Sequence, residues 1–532
     1  MIKKEIIDFN DLNIFSDLIK DYKSKKKEIS QFISSFPTEE AIIKQIRKKK
    51  LSKEIRLDLV KSLKKQYKKT EFINSDLKKI NYNIDSLISE NTFTITAGHQ
   101  LNLFSNPLFL IYKVVNIINL SSKISKSSKK NVIPIFWLAS EDNDFEEINS
   151  FNFLNKNYKW KKKYDNSPVG NLKTKSLKLL IENIFSSIKE YPYKKDLKNI
   201  VLKTHLKNHN LSNAIRSILT FFFHKYGLLV LDSNDVILKN HFKPYFKSEI
   251  NNQFSFHYTN KQSDKLSSFY KTIIKPREIN LFYFNRKKRL RIVKNDQMFH
   301  LVNGEKKWSK NQILKEINDY PERFSPNVIL RTLFQESILP NIAYVGGPTE
   351  ISYWLQFKYL FDKMKIQFPI LVLRSFVLNL KSEHSKFLSK NKINLKDLFL
   401  SHDEFVYKSF YKKTKINLKN EIEFFDKIKY SISKKSKKID SSLNIHSLAI
   451  CKKIEKDLKK LERKVIKYQK KNYSYFLDYL TKVHLDVYTK NVIQERRISF
   501  FEFYLKHGDK FFKILFKKLN CLENGYIILK GF

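Results

Sequence analysis

The chain has 532 residues and 42% of them are hydrophobic, which excludes a disordered chain and predicts a large core with more than one structural unit. Its formal net charge of +49 comes mainly from lysines spread along the whole chain, a pattern typical of a solvated surface, so we do not expect a nucleic-acid partner. The two cysteines exclude a disulfide framework, and no apolar run reaches the length of a membrane span, so we expect a cytoplasmic protein without a membrane partner.

Residues 1–90 carry apolar side chains at helical spacing and predict a helical segment that packs on the core. From 91 to 384, short apolar runs alternate with helical patterns, which is typical of an α/β protein with a parallel, doubly wound sheet. Two stretches interrupt this alternation and are interpreted as insertions. One, at about 150–225, is helical in pattern, and the other, 251–330, mixes strand and helix patterns.

The pattern from 385 to 505 is helical and highly charged. Within it, apolar residues follow the 4-3-4-3 spacing of a coiled coil at Ile454, Leu458, Leu461, Val465 and Tyr468. This spacing is compatible with a coiled-coil arm or with a long amphipathic helix packed on the protein's own core. Residues 506–532 are predicted to return to the core and to include a closing strand at 526–529.

The first candidate site follows a predicted strand at 93–96. Gly98, His99 and Gln100 form a glycine turn ahead of a helix, which Ser105 or Asn106 is expected to cap, with Pro107 as its first residue. Such a turn can hold an anion, and the imidazole can donate to a phosphate or carry a proton. A structural turn with a hydrogen-bonded histidine would leave the same pattern.

An acidic motif follows the next predicted strand, at 132–138. Its carboxylates at Glu141, Asp142 and Asp144 are suited to Mg²⁺ or to the ammonium group of a substrate. A helix start enriched in acidic residues would give the same pattern, because the helix dipole favours negative charge there. Asp232 ends a third predicted strand and is expected at the same edge of the sheet, since ligands bind beyond the carboxyl ends of parallel strands.

Gly346 and Gly347 form the most informative motif, because the chain contains only 9 glycines. They lie between a predicted strand at 343–345 and a helical pattern that begins at Thr349, where glycine allows positive φ and a close approach of a ligand. The start of that helix is expected to point free N–H groups at the same place. Glu350 would either bind an amine or only stabilise the helix.

Arginine is rare in this lysine-rich chain, with 13 residues. Four of them stand out as groups that can hold a carboxylate or a phosphate with two hydrogen bonds: Arg331, Arg374, Arg496 and Arg497. A structural ion pair is the alternative for each. Neither the cysteines nor the histidines have the spacing of metal ligands, so no metal-binding residue is predicted.

These motifs, in this order, closely resemble those of the bacillithiol biosynthesis cysteine-adding enzymes, the BshC family. The match runs from about residue 90 to the C-terminus and includes Gln494-Glu495-Arg496. The resemblance implies a Rossmann-like core with inserted connecting segments, and an α-helical coiled-coil arm that forms a homodimer. It also implies a ligase that joins the carboxyl group of cysteine to the amine of glucosaminyl-malate. The activating cofactor stays open, with ATP or ADP and Mg²⁺ as the candidate.

Two positions depart from the family pattern. Asn106 stands where the family usually has glycine, and we expect the turn to survive because asparagine tolerates a left-handed backbone. Thr349 stands where the family usually has a further glycine after Gly-Gly-Pro, which would narrow the pocket or only adjust the helix cap.

The resulting site prediction makes His99, Asp142 and Asp144 catalytic. The predicted substrate- or nucleotide-binding residues are Gly98, Gln100, Asn106, Glu141, Asp232, Arg331, Gly346, Gly347, Glu350, Arg374 and Arg496. The alternative function is a class I-like nucleotidyl-transfer enzyme that acts on another amino acid or on tRNA. A third, non-enzymatic interpretation is a basic scaffold that binds RNA through its helical arm.

Overall fold

The structure is a computed structural model and describes residues 2–73, 76–414, 418–489 and 492–532. Its strands are β1 (Lys3–Ile7), β2 (Thr92–His99), β3 (Asn131–Leu138), β4 (Ser150–Phe153), β5 (Lys156–Lys159), β6 (Leu229–Asp232), β7 (Leu281–Asn285), β8 (Lys288–Asn295), β9 (Met298–Leu301), β10 (Lys307–Ser309), β11 (Phe324–Pro326), β12 (Asn341–Gly346), β13 (Ile370–Leu373), β14 (Val377–Leu380), β15 (Tyr488–Thr489), β16 (Val492–Ile493) and β17 (Tyr526–Lys530). Its helices are α1 (Asp17–Lys23), α2 (Glu39–Lys48), α3 (Lys53–Lys68), α4 (Lys78–Ser86), α5 (Leu108–Ser128), α6 (Phe145–Ile148), α7 (Leu177–Ser186), α8 (Lys194–Leu206), α9 (Leu211–Phe223), α10 (Val236–Asn252), α11 (Phe254–Ser267), α12 (Lys310–Asp319), α13 (Val328–Ile338), α14 (Pro348–Trp354), α15 (Lys358–Lys363), α16 (Ser382–Lys390), α17 (His402–Thr414), α18 (Lys419–Ile439), α19 (Ser441–Asn472), α20 (Ser474–Val487), α21 (Gln494–Arg497), α22 (Phe501–His507) and α23 (Asp509–Lys518).

The central sheet has five parallel strands in the spatial order β13-β12-β2-β3-β6. Side chains on both faces of β2 and β3 are buried, which explains why the sequence shows continuous apolar runs here. Read from β6 and numbered by their order along the chain, the strands run 3-2-1-4-5, the doubly wound Rossmann arrangement. The predicted α/β fold is confirmed, and the strand order reverses between β2 and β12.

The apolar helix α5 packs against β2 and β3 of this sheet. Among the helices of the described ranges, it is the one that is long and apolar enough to cross a membrane. However, 72% of its apolar window is buried inside the protein, as in the core helix of a globular domain. Its composition therefore reflects its place in the core.

Both predicted insertions contain strands. Residues 251–330 hold all five strands of an antiparallel sheet of order β10-β9-β8-β7-β11. The stretch 150–225 opens with the hairpin of β4 and β5, so the prediction of a helical segment is wrong there. The signal was a period-two alternation, because Phe151 and Phe153 are buried while Ser150 and Asn152 are exposed.

The two ends of the chain meet in a small sheet of order β1-β17-β14. Lys3 lies opposite Lys530 and Ile7 lies opposite Tyr526 in the antiparallel pair of β1 and β17. The prediction of helices through the first 90 residues is therefore wrong for β1. Five residues with two adjacent lysines give little local strand signal, and pairing with β17 extends them.

The helices α18 and α19 form an antiparallel hairpin, in which Lys429 of α18 pairs with Glu455 of α19 at 3.0 Å. Three of the five apolar residues of the predicted coiled-coil seam remain exposed on it, while Leu458 and Val465 are half-buried. Ile454 is 41% exposed, Leu461 50% and Tyr468 74%. Within one chain, the hairpin thus leaves a large part of its apolar surface uncovered.

Candidate active site

A cavity of about 890 Å³ lies at the carboxyl edge of the central sheet, where the strand order reverses between β2 and β12. In doubly wound folds this crevice is where ligands bind. Its walls come from the loops after β2, β3 and β12, from α5, from the antiparallel sheet and from α21. Eleven of the fourteen predicted site residues line it: Gly98, His99, Gln100, Asn106, Glu141, Asp142, Arg331, Gly347, Glu350, Arg374 and Arg496.

His99 ends β2 and lies in the cavity wall beside Phe109, with 5.2 Å between the ring centres. Burial, together with the nearby Lys113 ammonium group, lowers the pKa of its imidazole to about 3, so the ring is neutral near pH 7. Its Nδ1 atom has no hydrogen-bond partner within the described residues. A neutral imidazole with one unpaired nitrogen can exchange a hydrogen bond with a ligand but is a weak base.

The turn after β2 differs from the prediction. Ser105 and the phenylalanine before it are left-handed, with φ of 59° and 57°, whereas Asn106 has a φ of −100°. The left-handed backbone expected at Asn106 is therefore wrong. Pro107 is the N-cap of α5, which begins at Leu108, and no side chain caps the helix. The Leu108 N–H donates instead to the backbone oxygen of Ile498 at 2.9 Å, so a distant segment satisfies this helix start.

The loop after β12 is closely packed, and neither Gly346 nor Gly347 has a positive φ. A Cβ at Gly346, which does not line the cavity, would lie 3.1 Å from side-chain atoms of both Tyr344 and Glu350. Close packing thus explains why position 346 is a glycine, since a larger side chain would crowd these neighbours. The Gly347 N–H donates to Glu350 Oε2 at 2.8 Å. The expectation of free N–H groups at this helix start is wrong for Gly347, because the carboxylate of the helix itself occupies its N–H.

Glu350 lies in a network that links the two glycine loops, which we define as residues 98–100 at the end of β2 and residues 346–350 at the junction of β12 and α14. Its carboxylate accepts hydrogen bonds from the Tyr344 hydroxyl at 2.6 Å and from Gly347, and it forms an ion pair with Lys113 of α5. The Lys113 ammonium also donates to the Gly98 carbonyl oxygen at 2.9 Å. Burial by itself raises the pKa of Glu350, but the Lys113 charge and these hydrogen bonds lower it to about 2. The carboxylate is therefore ionised and already paired, which favours the structural interpretation over amine binding.

The acidic motif divides into residues inside and outside the cavity. Glu141 is buried and forms an ion pair with Lys239. Asp142 lines the cavity and lies 3.9 Å from the Arg289 guanidinium. Asp144 does not line it, since its carboxylate accepts an N–H of the first turn of α6 at 3.0 Å as the N-cap. The position of Asp144 supports a helix-start role and does not support the catalytic role predicted for it.

Asp232 also lies outside the cavity lining. Its carboxylate accepts hydrogen bonds from the Ser140 hydroxyl and, at 2.9 Å, from the Asn234 N–H, so it braces the end of β6. The ligand-binding role predicted for Asp232 is not supported by this position. Across the described ranges, no three His, Cys, Asp or Glu side chains come together in a group that could hold a metal ion.

Positively charged side chains form much of the remaining wall. Arg331 donates to the Tyr353 hydroxyl at 3.0 Å, and Arg496 is exposed at the cavity. Arg374 is 2% exposed, and its guanidinium donates to Glu495 at 2.6 Å. Arg374 therefore forms the structural ion pair that was the alternative for it. Only its Nε lacks a partner within the described residues.

Sequence reasoning did not select several residues that line the cavity: Lys113, Lys275, Arg277, Arg289 and Asn327. Arg289 is held firmly, since it lies 3.8 Å over the Phe282 ring and donates to Ser325 and Pro326 at 2.9 Å each. In all, eight Lys or Arg and four Asp or Glu residues line the cavity, which favours a ligand with more than one negative charge. The rarity of arginine was the available signal for Arg277 and Arg289.

Comparison with known proteins divides the chain into two domains. Residues 2–375 match the N-terminal Rossmann-like domain of bacillithiol biosynthesis BshC, and residues 377–531 match its C-terminal coiled-coil domain, so the two meet before the boundary expected at 385. Relatives provisionally named cysteine ligase BshC include proteins of Flavobacterium johnsoniae, 37% identical over 99% of both chains, and Christiangramia forsetii, 36% identical over 98% of both. A Bacillus cereus relative of the same name is 29% identical over 72% of this chain and 73% of its own. The chain belongs to the BshC family of bacillithiol biosynthesis.

Proposed function

We propose that this enzyme forms an amide bond between the carboxyl group of cysteine and the amine of glucosaminyl-malate. Membership of the BshC family supports a ligase, and relatives named as cysteine ligases support cysteine as one substrate. The observation that carries the proposal is the cavity at the reversal of strand order. Its walls hold positively charged side chains that suit the carboxylates of these substrates and negatively charged side chains that suit the amine.

The positive wall suits the malate part of the acceptor, which is a dicarboxylate. We assign Arg331 to one carboxylate, because the hydrogen bond to Tyr353 uses only one nitrogen of its guanidinium. Arg277 of the same wall is our candidate for the second. Arg374 is a weaker candidate than the sequence suggests, since Glu495 holds its guanidinium, and only its buried Nε lacks a partner within the described residues.

The negative wall suits the amine. We assign Asp142 to the ammonium form of the acceptor, because its carboxylate is 34% exposed and its nearest cation, Arg289, lies at 3.9 Å, beyond hydrogen-bond distance. Bond formation needs a neutral amine, so this ammonium group must first lose a proton. The unpaired Nδ1 of His99 would orient the amine or the carbonyl oxygen through a hydrogen bond, since a pKa of about 3 makes it a poor store for the proton near pH 7.

In the reaction, the nitrogen of the ammonium group forms a bond to the carboxyl carbon of cysteine and gives up two protons. One carboxyl oxygen departs, and it balances with these protons as water, or leaves on phosphate where a nucleotide activates the carboxyl group. That oxygen is a poor leaving group, so it needs an activating group. ATP or ADP with Mg²⁺ stays our candidate for this activation. Mg²⁺ commonly binds through one or two carboxylates and the phosphates of the substrate. As the alternative to its role toward the ammonium group, Asp142, which is 34% exposed, is the carboxylate that we would test first.

We further propose that the enzyme acts in the cytoplasm as a homodimer joined through α18 and α19. Apolar side chains on this hairpin are open to solvent: Phe424, Tyr430, Ile439 and Ile445 are 64%, 71%, 77% and 71% exposed. Burying each such side chain contributes about 1.5–3 kcal/mol. Light scattering should give twice the chain mass of 63.7 kDa, and Ile439→Glu with Ile445→Glu should give the monomer mass. A wild-type monomer at micromolar concentration would contradict the dimer.

The reaction is tested by incubating the purified protein with cysteine and glucosaminyl-malate, with and without Mg·ATP, and searching for bacillithiol by mass spectrometry. Product in either mixture supports the ligase, and the comparison shows whether ATP is needed. Absence of product from folded protein contradicts the proposal. Exchange of pyrophosphate into ATP that depends on another amino acid would then support the nucleotidyl-transfer alternative.

A further inference from the structure

Lys113 is a charged residue in the middle of the apolar helix α5. It is 1% exposed, and burial lowers the pKa of its ammonium group, with the neighbouring Glu350 carboxylate opposing that effect. A buried ammonium group is costly unless it is paired and hydrogen-bonded. Lys113 meets this need with two partners, the Glu350 carboxylate and the Gly98 carbonyl oxygen at 2.9 Å.

These two partners belong to different loops. Gly98 lies at the end of β2, and Glu350 lies in α14, directly after β12. β2 and β12 are the neighbouring strands between which the strand order reverses, so the two loops form opposite sides of the crevice. Glu350 also accepts a hydrogen bond from the Gly347 N–H at 2.8 Å, so Lys113 is connected through Glu350 to the backbone of Gly347. One lysine therefore connects the backbone of both glycine loops.

We propose that Lys113 is a positioning residue of this ligase: its ammonium group ties the Gly98 carbonyl to the Glu350 carboxylate and so fixes the two loops against each other across the substrate cavity. The inference depends on the proposed function only in naming what the loops hold. Its consequence follows from geometry, since a displacement of about 1 Å in a catalytic site can cost on the order of 100-fold in rate.

The chain offers a matched control at the opposite edge of the same strands. Lys49 lies 3.8 Å from the Glu336 carboxylate, and the side chains are 3% and 0% exposed. Glu336 also accepts a hydrogen bond at 2.7 Å from Asn341, the first residue of β12. This second buried lysine–glutamate pair does not line the cavity. Its loss should therefore affect stability without changing the geometry of the site.

The test compares Lys113→Met, the double variant Lys113→Met/Glu350→Gln, and Lys49→Met by their melting temperatures and by kcat and KM for bacillithiol formation. We expect Lys113→Met to lose stability and about 100-fold in kcat. The double variant should regain stability, because no partly buried carboxylate is left without a counter-charge, while its kcat stays low. Lys49→Met should lose stability and keep its kcat. If kcat recovers together with the melting temperature in the double variant, Lys113 is merely structural and the proposal is wrong.

A second readout needs no substrate. Because the chain has only 9 glycines, ¹⁵N-glycine labelling gives a sparse amide spectrum. Lys113→Met should shift the Gly98 and Gly347 signals, and Lys49→Met should leave them in place. Unmoved signals in Lys113→Met overturn the positioning role even if the enzyme is active. Shifted signals in a protein that makes no bacillithiol would support the link between the loops and refute only the proposed reaction.

Discussion

Replacing Asp142 by asparagine removes one negative charge from the cavity and leaves its shape nearly unchanged. The side chain is 34% exposed and lies 3.9 Å from Arg289, so water screens the pair and its loss should cost less than about 1 kcal/mol of unfolding free energy. The effect on catalysis should be larger, because a hydrogen bond to a charged substrate group contributes about 1.5–3 kcal/mol. At about 1.4 kcal/mol per factor of ten, kcat/KM should fall roughly 10- to 150-fold.

Asp144→Asn is the matched control, since it makes the same chemical change two positions further on. Asp144 caps α6 and does not line the cavity, and asparagine caps helices as well as aspartate does. Its kcat/KM should stay within about twofold of the wild-type value, as for a typical substitution away from a site. Initial rates of bacillithiol formation and melting curves would be measured for both variants. Equal losses in both, or full activity in a folded Asp142→Asn protein, would refute the site assignment.

Two further predictions concern the packing and titration of the core. Gly346→Ala places a methyl group 3.1 Å from side-chain atoms of Tyr344 and Glu350, so urea unfolding should show a loss of about 1–3 kcal/mol, and unchanged stability would contradict the tight loop. Burial raises the pKa of the Glu336 carboxyl from 4.5 to about 7, although the Lys49 charge opposes this shift. Between these pH values the folded protein keeps a proton that the unfolded chain releases. The free energy of unfolding therefore falls as the pH rises from about 4.5 to about 7. Glu336→Gln lacks this proton, so its melting temperature should rise relative to wild type as the pH increases through the same window, and a constant difference would contradict the raised pKa.

The central sheet was open to prediction because strands buried on both faces leave continuous apolar runs in the sequence. The cavity followed from the same pattern, since parallel strands bring their carboxyl ends to one edge. Residues as distant as His99, Asp142 and Arg331 therefore meet there. Local chemistry could not separate Asp142 from Asp144, however, because the difference lies in which carboxylate turns back to cap α6.

Features that depend on partners far away along the chain could not be predicted from the sequence. In the local sequence Lys113 is only a charged residue that interrupts an apolar helix, because its partner Glu350 lies 237 positions further along the chain. Arg289 reaches the cavity only because the antiparallel sheet folds over the carboxyl edge of the central one. β1 likewise becomes a strand through β17, at the other end of the chain. In each case long-range pairing decides the role, and the neighbouring residues carry no sign of it.

The measurement that tests the central claim most directly is the detection of the new bond itself. The enzyme would be supplied with cysteine labelled with ¹³C at its carboxyl carbon and with glucosaminyl-malate labelled with ¹⁵N at its amine. The proposed reaction predicts a product in which the ¹³C carbonyl signal is split by a one-bond coupling to ¹⁵N. A folded, dimeric enzyme that consumes neither substrate, or whose product shows an unsplit carbonyl signal, would contradict the amide-forming function.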